Sequence, residues 1–197
     1  MGKPETTRRN IILASVKLAK ENGPQNVTVR EICEEAGISK NTFYLYFRNR
    51  DEVFGETYFT DDEEKHRRLP EIMLEFDSPL EQFWELLKID IERHIDFGPK
   101  LVATISMQNV SQIKFFSEDP NEQPESVKIF ISLVRKMQRM GEIKNMSDPF
   151  LIVKGVYICA VGLDIRWTQT NGSFDFKKES FDLLCTLLQP NRDITNY

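Results

Sequence analysis

The chain has 197 residues, with 26 basic and 31 acidic side chains, a formal net charge of -5 and a sequence pI near 5.2. A 40% hydrophobic fraction supports a packed core and excludes a disordered chain, and three scattered cysteines, Cys33, Cys159 and Cys185, exclude a disulfide framework. Taken as an average, the acidic balance argues against a nucleic-acid partner, whose electrostatic footprint is basic.

That average covers two unlike parts. Residues 1–50 hold nine Lys/Arg and five Asp/Glu, a net of +4, and the remainder holds seventeen and twenty-six, a net of -9. Cysteines outside any Cys-x-x-Cys pair read as reduced thiols of a cytosolic protein. Met1 to Asn10 is polar, with no apolar signal segment. The most apolar run, Phe150 to Leu163, carries Lys154 and is too short for a bilayer span. The expectation is a soluble, cytoplasmic protein with no membrane partner.

Apolar residues recur at helical spacing and no run of strict alternation is found, so the chain reads as all-α. A first helix is predicted over Thr7 to Asn22, with Ile12, Val16 and Ala19 on one stripe and Gly23-Pro24 as its stop. A second follows Thr28, which has Glu31 at capping-box spacing, and ends at Ala36-Gly37. Ser39 caps a short third helix ending near Phe47. A fourth runs from Asp51 to Leu69, where Pro70 is expected to stop it. Longer helices follow: Pro79 to Phe97, Pro99 to Phe116, one through Val127, Phe130 and Met137 up to Gly141, Pro149 to Gln169 behind Asp148, and Phe174 to Leu188. A natural cut lies near Arg50. The domains expected are 1–50, with the fourth helix (51–69) as connector, and 51–197. The acidic run Asp61-Asp62-Glu63-Glu64 reads as a solvated face.

Val27 to Arg50, VTVREICEEAGISKNTFYLYFRNR, is a helix-turn-helix. Ile32, Ala36, Ile38 and Phe43 are spaced to close a small core around the turn Ala36-Gly37-Ile38-Ser39. The third helix is roughly 12 Å long at 1.5 Å per residue, and a major groove about 12 Å wide admits it. It has no carboxylate. Lys40 and Asn41 are placed for base edges, and Thr42 for a base or a phosphate. Thr28, Ser39, Tyr44, Tyr46, Arg48 and Arg50 complete the expected double-stranded DNA contacts, mostly on phosphates, which position without specifying.

The stretch TVREICEEAGISKNTFYLYFRNRDEVF resembles the N-terminal DNA-binding motif of the TetR family of bacterial transcriptional regulators. The matching pieces are Thr28-Val29, Ala36-Gly37-Ile38-Ser39, Thr42-Phe43-Tyr44, Tyr46-Phe47 and Asn49-Arg50-Asp51-Glu52. Arg50 stands where the family often has Lys, and Tyr46 where it often has His; both keep a donor. The resemblance implies a homodimeric regulator of nine or ten helices, a central ligand cavity, and dimerisation through the last two long helices. It also implies that Tyr44 and Arg50 touch phosphates. By the same resemblance the dimer interface would fall on Val156, Cys159, Leu163, Trp167, Phe181, Leu184 and Leu188. A cavity for a small apolar or amphipathic effector would be lined from Trp84, Leu87, His94, Ile105, Asn109, Phe116, Phe130, Met137 and Tyr157. Asn109 and His94 interrupt apolar stripes, and a polar group aimed inward needs a partner, either a neighbouring helix or a ligand.

No nucleophile motif, metal-ligand spacing or Gly-rich phosphate loop is present in the sequence, so no cofactor, metal or enzymatic activity is expected. The reading is therefore a DNA-binding regulator, a repressor released from a near-palindromic operator by a small molecule. The alternative is a helical binding module whose head has no operative DNA role, which a gel shift separates from the first.

Overall fold

The computed structural model describes residues 3–112, 117 and 122–191, with side chains given for all of these except 3, 58–63 and 108–112. Nine α-helices and no strand are present among the described residues.

Helix α1 (Lys3–Asn22) begins ahead of the expected Thr7. Pro4 lies in its first turn, where a missing N–H costs nothing, and Glu5 suits the positive end of the helix dipole. A 3₁₀ turn (Pro24–Asn26) leads to α2 (Val29–Ala36). Thr28 caps α2 with a full capping box: the Glu31 amide donates to Thr28 Oγ1 at 3.3 Å, and the Thr28 amide donates to Glu31 Oε2 at 2.8 Å. The Thr28 hydroxyl, which also donates to Glu31 Oε2 at 2.7 Å, and then the Thr28 amide hold the Glu31 carboxyl below the usual carboxylate range. A carboxyl lowered by folding stabilises fully at neutral pH, and that share is lost as pH falls through the lowered value.

Gly37 ends α2 in the left-handed conformation, φ 66° and ψ 36°, and the next amide, of Ile38, bonds back to the Cys33 carbonyl at 2.9 Å. A Cβ at Gly37 would meet nothing within 4 Å, so the cost of Gly37→Ala is conformational only. We expect a loss of about 1–2 kcal/mol, read by urea unfolding of the full chain. Ser39 then caps α3 (Lys40–Tyr46), accepting from the Thr42 amide at 3.1 Å.

The expected fourth helix is two helices. α4 (Arg50–Gly55) is capped by Asn49, and the chain turns at Glu56 into α5 (Thr57–Glu75). The Thr57 hydroxyl donates to the Phe54 carbonyl at 2.9 Å and so satisfies an acceptor at the break. α5 also runs through Pro70 rather than stopping there. Ile72, 1% exposed, is buried in the core beyond the proline, and that packing holds the last turn. In the acidic run, the side chains of 61–63 lie outside the described residues.

α6 (Pro79–Gln112) is interrupted at Gly98, whose φ of 74° and ψ of 163° is a glycine conformation. This is the boundary expected between the helices at Pro79 and Pro99; Phe116 lies outside the described residues. α7 (Glu125–Met140) ends at Gly141, and α8 (Pro149–Gln169) starts behind Asp148, whose carboxylate accepts from the amides of Phe150 and Leu151. α9 (Phe176–Leu188) begins after Asp175 instead of at Phe174, because Asp175 serves as its cap.

The buried apolar side chains gather into two clusters. One, in the body, draws on α5 to α9. The other, in the head, joins Ile11, Ile32, Phe43, Phe47 and Phe54 to Leu101 and Ile105 from the second half of α6. The cut expected near residue 50 therefore passes through a core that α4 and α6 complete. Phe97, just before the Gly98 kink, packs on both clusters. Lys20 and Asp96 add an ion pair of 2.6 Å across the same junction. No helix of the described residues is long and apolar enough to cross a membrane.

Candidate DNA interface and internal cavity

Phe43 is fully buried and Phe47 is 2% exposed. These two anchors, one turn apart, pin the inner face of α3, so the outer face carries Lys40, Asn41, Tyr44 and Leu45, all exposed. The hydroxyls of Ser39 and Thr42 lie 2.9 Å apart and share the cap, Thr42 and Tyr46 are half-buried, and Thr28 and Arg48 stand exposed at the flanks. Ion pairing sharpens this face. Lys17 pairs with Glu35 at 2.7 Å, Arg30 with Glu34 at 2.8 Å, and Arg8 with Glu56. Lys40 and Arg48, at the two ends of α3, have no ion pair among the described residues.

Arg50 sits differently from the phosphate role implied above. Its Nη1 donates to the carbonyls of Gln25 (3.1 Å) and Val27 (3.0 Å), and its Nε and Nη2 donate to Asp51 (2.9 and 2.8 Å). The guanidinium thus ties the start of α4 to the loop before α2. Leu45, 83% exposed, is the residue of this face that the sequence reading omits. The signal was available: Phe43 and Phe47 define the inner side, and Leu45, midway between them, must point out.

In the body, a cavity of about 170 Å³ lies among α5 to α9. Its lining is mostly apolar but holds two charged pairs. His94 Nδ1 is 2.8 Å from Asp164 Oδ1, with those side chains 11% and 3% exposed. Lys65 Nζ is 2.7 Å from Asp90 Oδ2, with those side chains 7% and 17% exposed. A carboxylate only accepts, so His94 Nδ1 is the donor of its pair. Asp90 Oδ1 is buried without a hydrogen-bond partner among the described residues.

Of the residues expected at the cavity, Leu87, His94 and Tyr157 line it. Trp84 packs edge-on against Phe181 at 4.9 Å, Phe130 against Phe83 at 4.6 Å, and Met137 is fully buried, so all three are core instead. Ile105 is corrected further: it packs in the head, because the kink at Gly98 carries the second half of α6 there. The Asn109 side chain and Phe116 lie outside the described residues. Lys65, Asp90 and Asp164 were not among the expected residues, because the partner that draws each inward lies on another helix.

The residues expected at a dimer interface also need correction. Val156, Leu163, Trp167, Phe181, Leu184 and Leu188 are at most 6% exposed and belong to the chain's own core. Val156, Cys159, Leu163 and Leu184 line the cavity. A helix apolar nearly all round gives little sequence signal for which side faces inward. The outer side of α8 instead carries Leu151, Ile158 and Ile165, which are 61%, 60% and 46% exposed at seven-residue intervals, with Gly162 open beside them.

Residues 11–57 match the family model described as bacterial regulatory proteins, tetR family. The HTH-type transcriptional regulator AcrR of Shigella flexneri is 23% identical over 94% of this chain and 89% of its own length. Among solved structures, Thermus thermophilus FadR in complex with lauroyl-CoA shares the fold at a TM-score of 0.68 and 16% identity, covering 96% of this chain and 98% of that one. RolR in complex with resorcinol shares it at a TM-score of 0.59 and 20% identity, covering 95% and 88%. The matched head, the relative aligned along nearly the whole chain and the shared helical architecture agree: the head matches the tetR family of bacterial regulatory proteins, and the chain as a whole is similar to regulators of that kind.

Proposed function

We propose that the chain is a cytoplasmic, homodimeric repressor that leaves a near-palindromic operator when a small molecule enters the body cavity. The observation that carries the DNA side is α3 itself: exposed on its outer face, free of carboxylates, and flanked by Lys40 and Arg48, which have no ion pair among the described residues where Arg8, Lys17 and Arg30 have one. Asn41 suits an adenine edge, and Leu45 suits a thymine methyl group. Two heads of a dimer would read half-sites about one helical turn apart or a small multiple of it.

Selection from a random duplex pool tests this reading; an inverted repeat is expected, and absence of any enriched sequence would count against it. On the selected duplex, Tyr44→Ala is expected to weaken binding about tenfold across related sequences, as loss of a charge-assisted phosphate contact does. Asn41→Ala should instead relax discrimination at one position of each half-site, which a panel of single-base variants would read.

The exposed line Leu151, Ile158, Ile165 on α8 supports dimerisation there. Ile158→Glu is expected to give a monomer in light scattering; an unchanged dimer would move the interface elsewhere.

Coupling would run through α6. His94 lines the cavity one turn before Gly98, and Leu101 and Ile105 lie in the head core just after it. A molecule that binds one setting of this kink better shifts the heads toward it, by no more than its differential affinity.

A further inference from the structure

Resting on the reading of the body cavity as the effector site, we infer that the effector is a compact molecule with an apolar body and a hydrogen-bond-donating head, either uncharged or cationic, and not an anion or a long acyl chain. Size is the first ground. A cavity of about 170 Å³ is comparable to engineered protein cavities that hold a single benzene-sized molecule. A chain of a dozen carbons exceeds that volume.

Charge is the second ground. Among the described residues the lining holds one ammonium, Lys65, against two carboxylates, Asp90 and Asp164. With the His94 ring neutral, the lining carries one surplus negative charge; with the ring protonated, it carries none. In neither state do the described residues offer a surplus positive charge to meet an anion, and an anion would then be the uncompensated charge in a site of low polarity. The unpartnered Asp90 Oδ1 accepts and cannot donate, so a ligand that supplies a donor relieves a cost the empty site bears. An apolar lining with a few convergent polar groups is the usual form of a small-molecule site.

The test uses the full chain and four probes: benzylamine, benzyl alcohol, benzoate and lauroyl-CoA, each titrated by ligand-observed NMR and by thermal shift. Benzylamine and benzyl alcohol are expected to bind, with benzoate weaker by about tenfold or more, a 1.4 kcal/mol preference, and with no binding by lauroyl-CoA. Asp164→Asn, which keeps the shape, and the less buried Asp90→Asn, in case the first does not fold, are each expected to erase the preference for the amine over benzoate. Ala160→Phe, which fills the cavity, should abolish binding of both fragments. Benzoate or lauroyl-CoA binding best, and lost in Ala160→Phe, would overturn the proposed class while leaving the cavity as the site. Binding that Ala160→Phe leaves unchanged would overturn the cavity reading, and the inference with it. No binding by either donor-bearing fragment would overturn the class.

Discussion

Phe43→Ala is expected to abolish operator binding while the body stays folded. Phe43 is fully buried, 5.4 Å centroid to centroid from Tyr44 and 5.9 Å from Phe47, and it is the residue that fixes which way α3 faces. Truncating a buried Phe costs about 3–5 kcal/mol through lost burial and the cavity left behind. A small folded unit has only about 5 kcal/mol to lose at the lower end of the usual range. The body core is a separate cluster that Phe43 does not touch, so the loss should be local. Hydrogen exchange should show lost protection over residues 27–55, with α7 to α9 unchanged, and affinity for the selected duplex should fall below detection. Leu45→Ala is the control on the same helix. Its side chain is 83% exposed, so the fold should hold while the preferred bases change. A Phe43→Ala chain that bound the duplex normally would contradict the assignment of α3.

The second large effect concerns the buried pair in the body. Asp164 is 2% exposed and His94 8%. Removing one member of a buried pair costs about 3–5 kcal/mol because the other is left uncompensated. His94→Ala should therefore destabilise strongly, since it strands a carboxylate. Asp164→Ala should cost less, because it leaves no carboxylate buried. The double replacement His94→Phe with Asp164→Leu should be near neutral in urea unfolding, because no charge then needs burying. It should also lose any response to a cavity ligand. If the single and double replacements cost the same, the pair is not coupled and the cavity has no polar anchor there.

The head was legible from the sequence because its signals are local. Thr28 with Glu31, Gly37 and Ser39 are caps whose partners lie within five residues, and each works in the structure as its spacing predicts. Asp148 and the Gly98-Pro99 break were legible for the same reason. What escaped depends on partners distant in the chain. Pro70 looks like a stop until Ile72 is seen packed beyond it. Arg50 looks like a phosphate ligand until the Gln25 and Val27 carbonyls are found against it. In α8, apolar nearly all round, Val156 and Ile158 are indistinguishable by type, and only tertiary packing makes one core and the other surface. The 70-residue separation of His94 and Asp164 hid the cavity's chemistry in the same way. The acidic average concealed a basic head, in which Lys40 and Arg48, at either side of α3, have no ion pair among the described residues.

The proposed function requires that this basic head read a specific duplex through α3. The most direct measurement is a titration of the selected duplex, and of a scrambled duplex of equal length, by the full chain over a series of salt concentrations. The selected duplex should bind at least about a thousandfold more tightly. Its affinity should fall linearly on a log-log plot, with a slope of roughly -0.9 per phosphate neutralised. Equal affinity for the two duplexes, or a flat response to salt, would contradict the account.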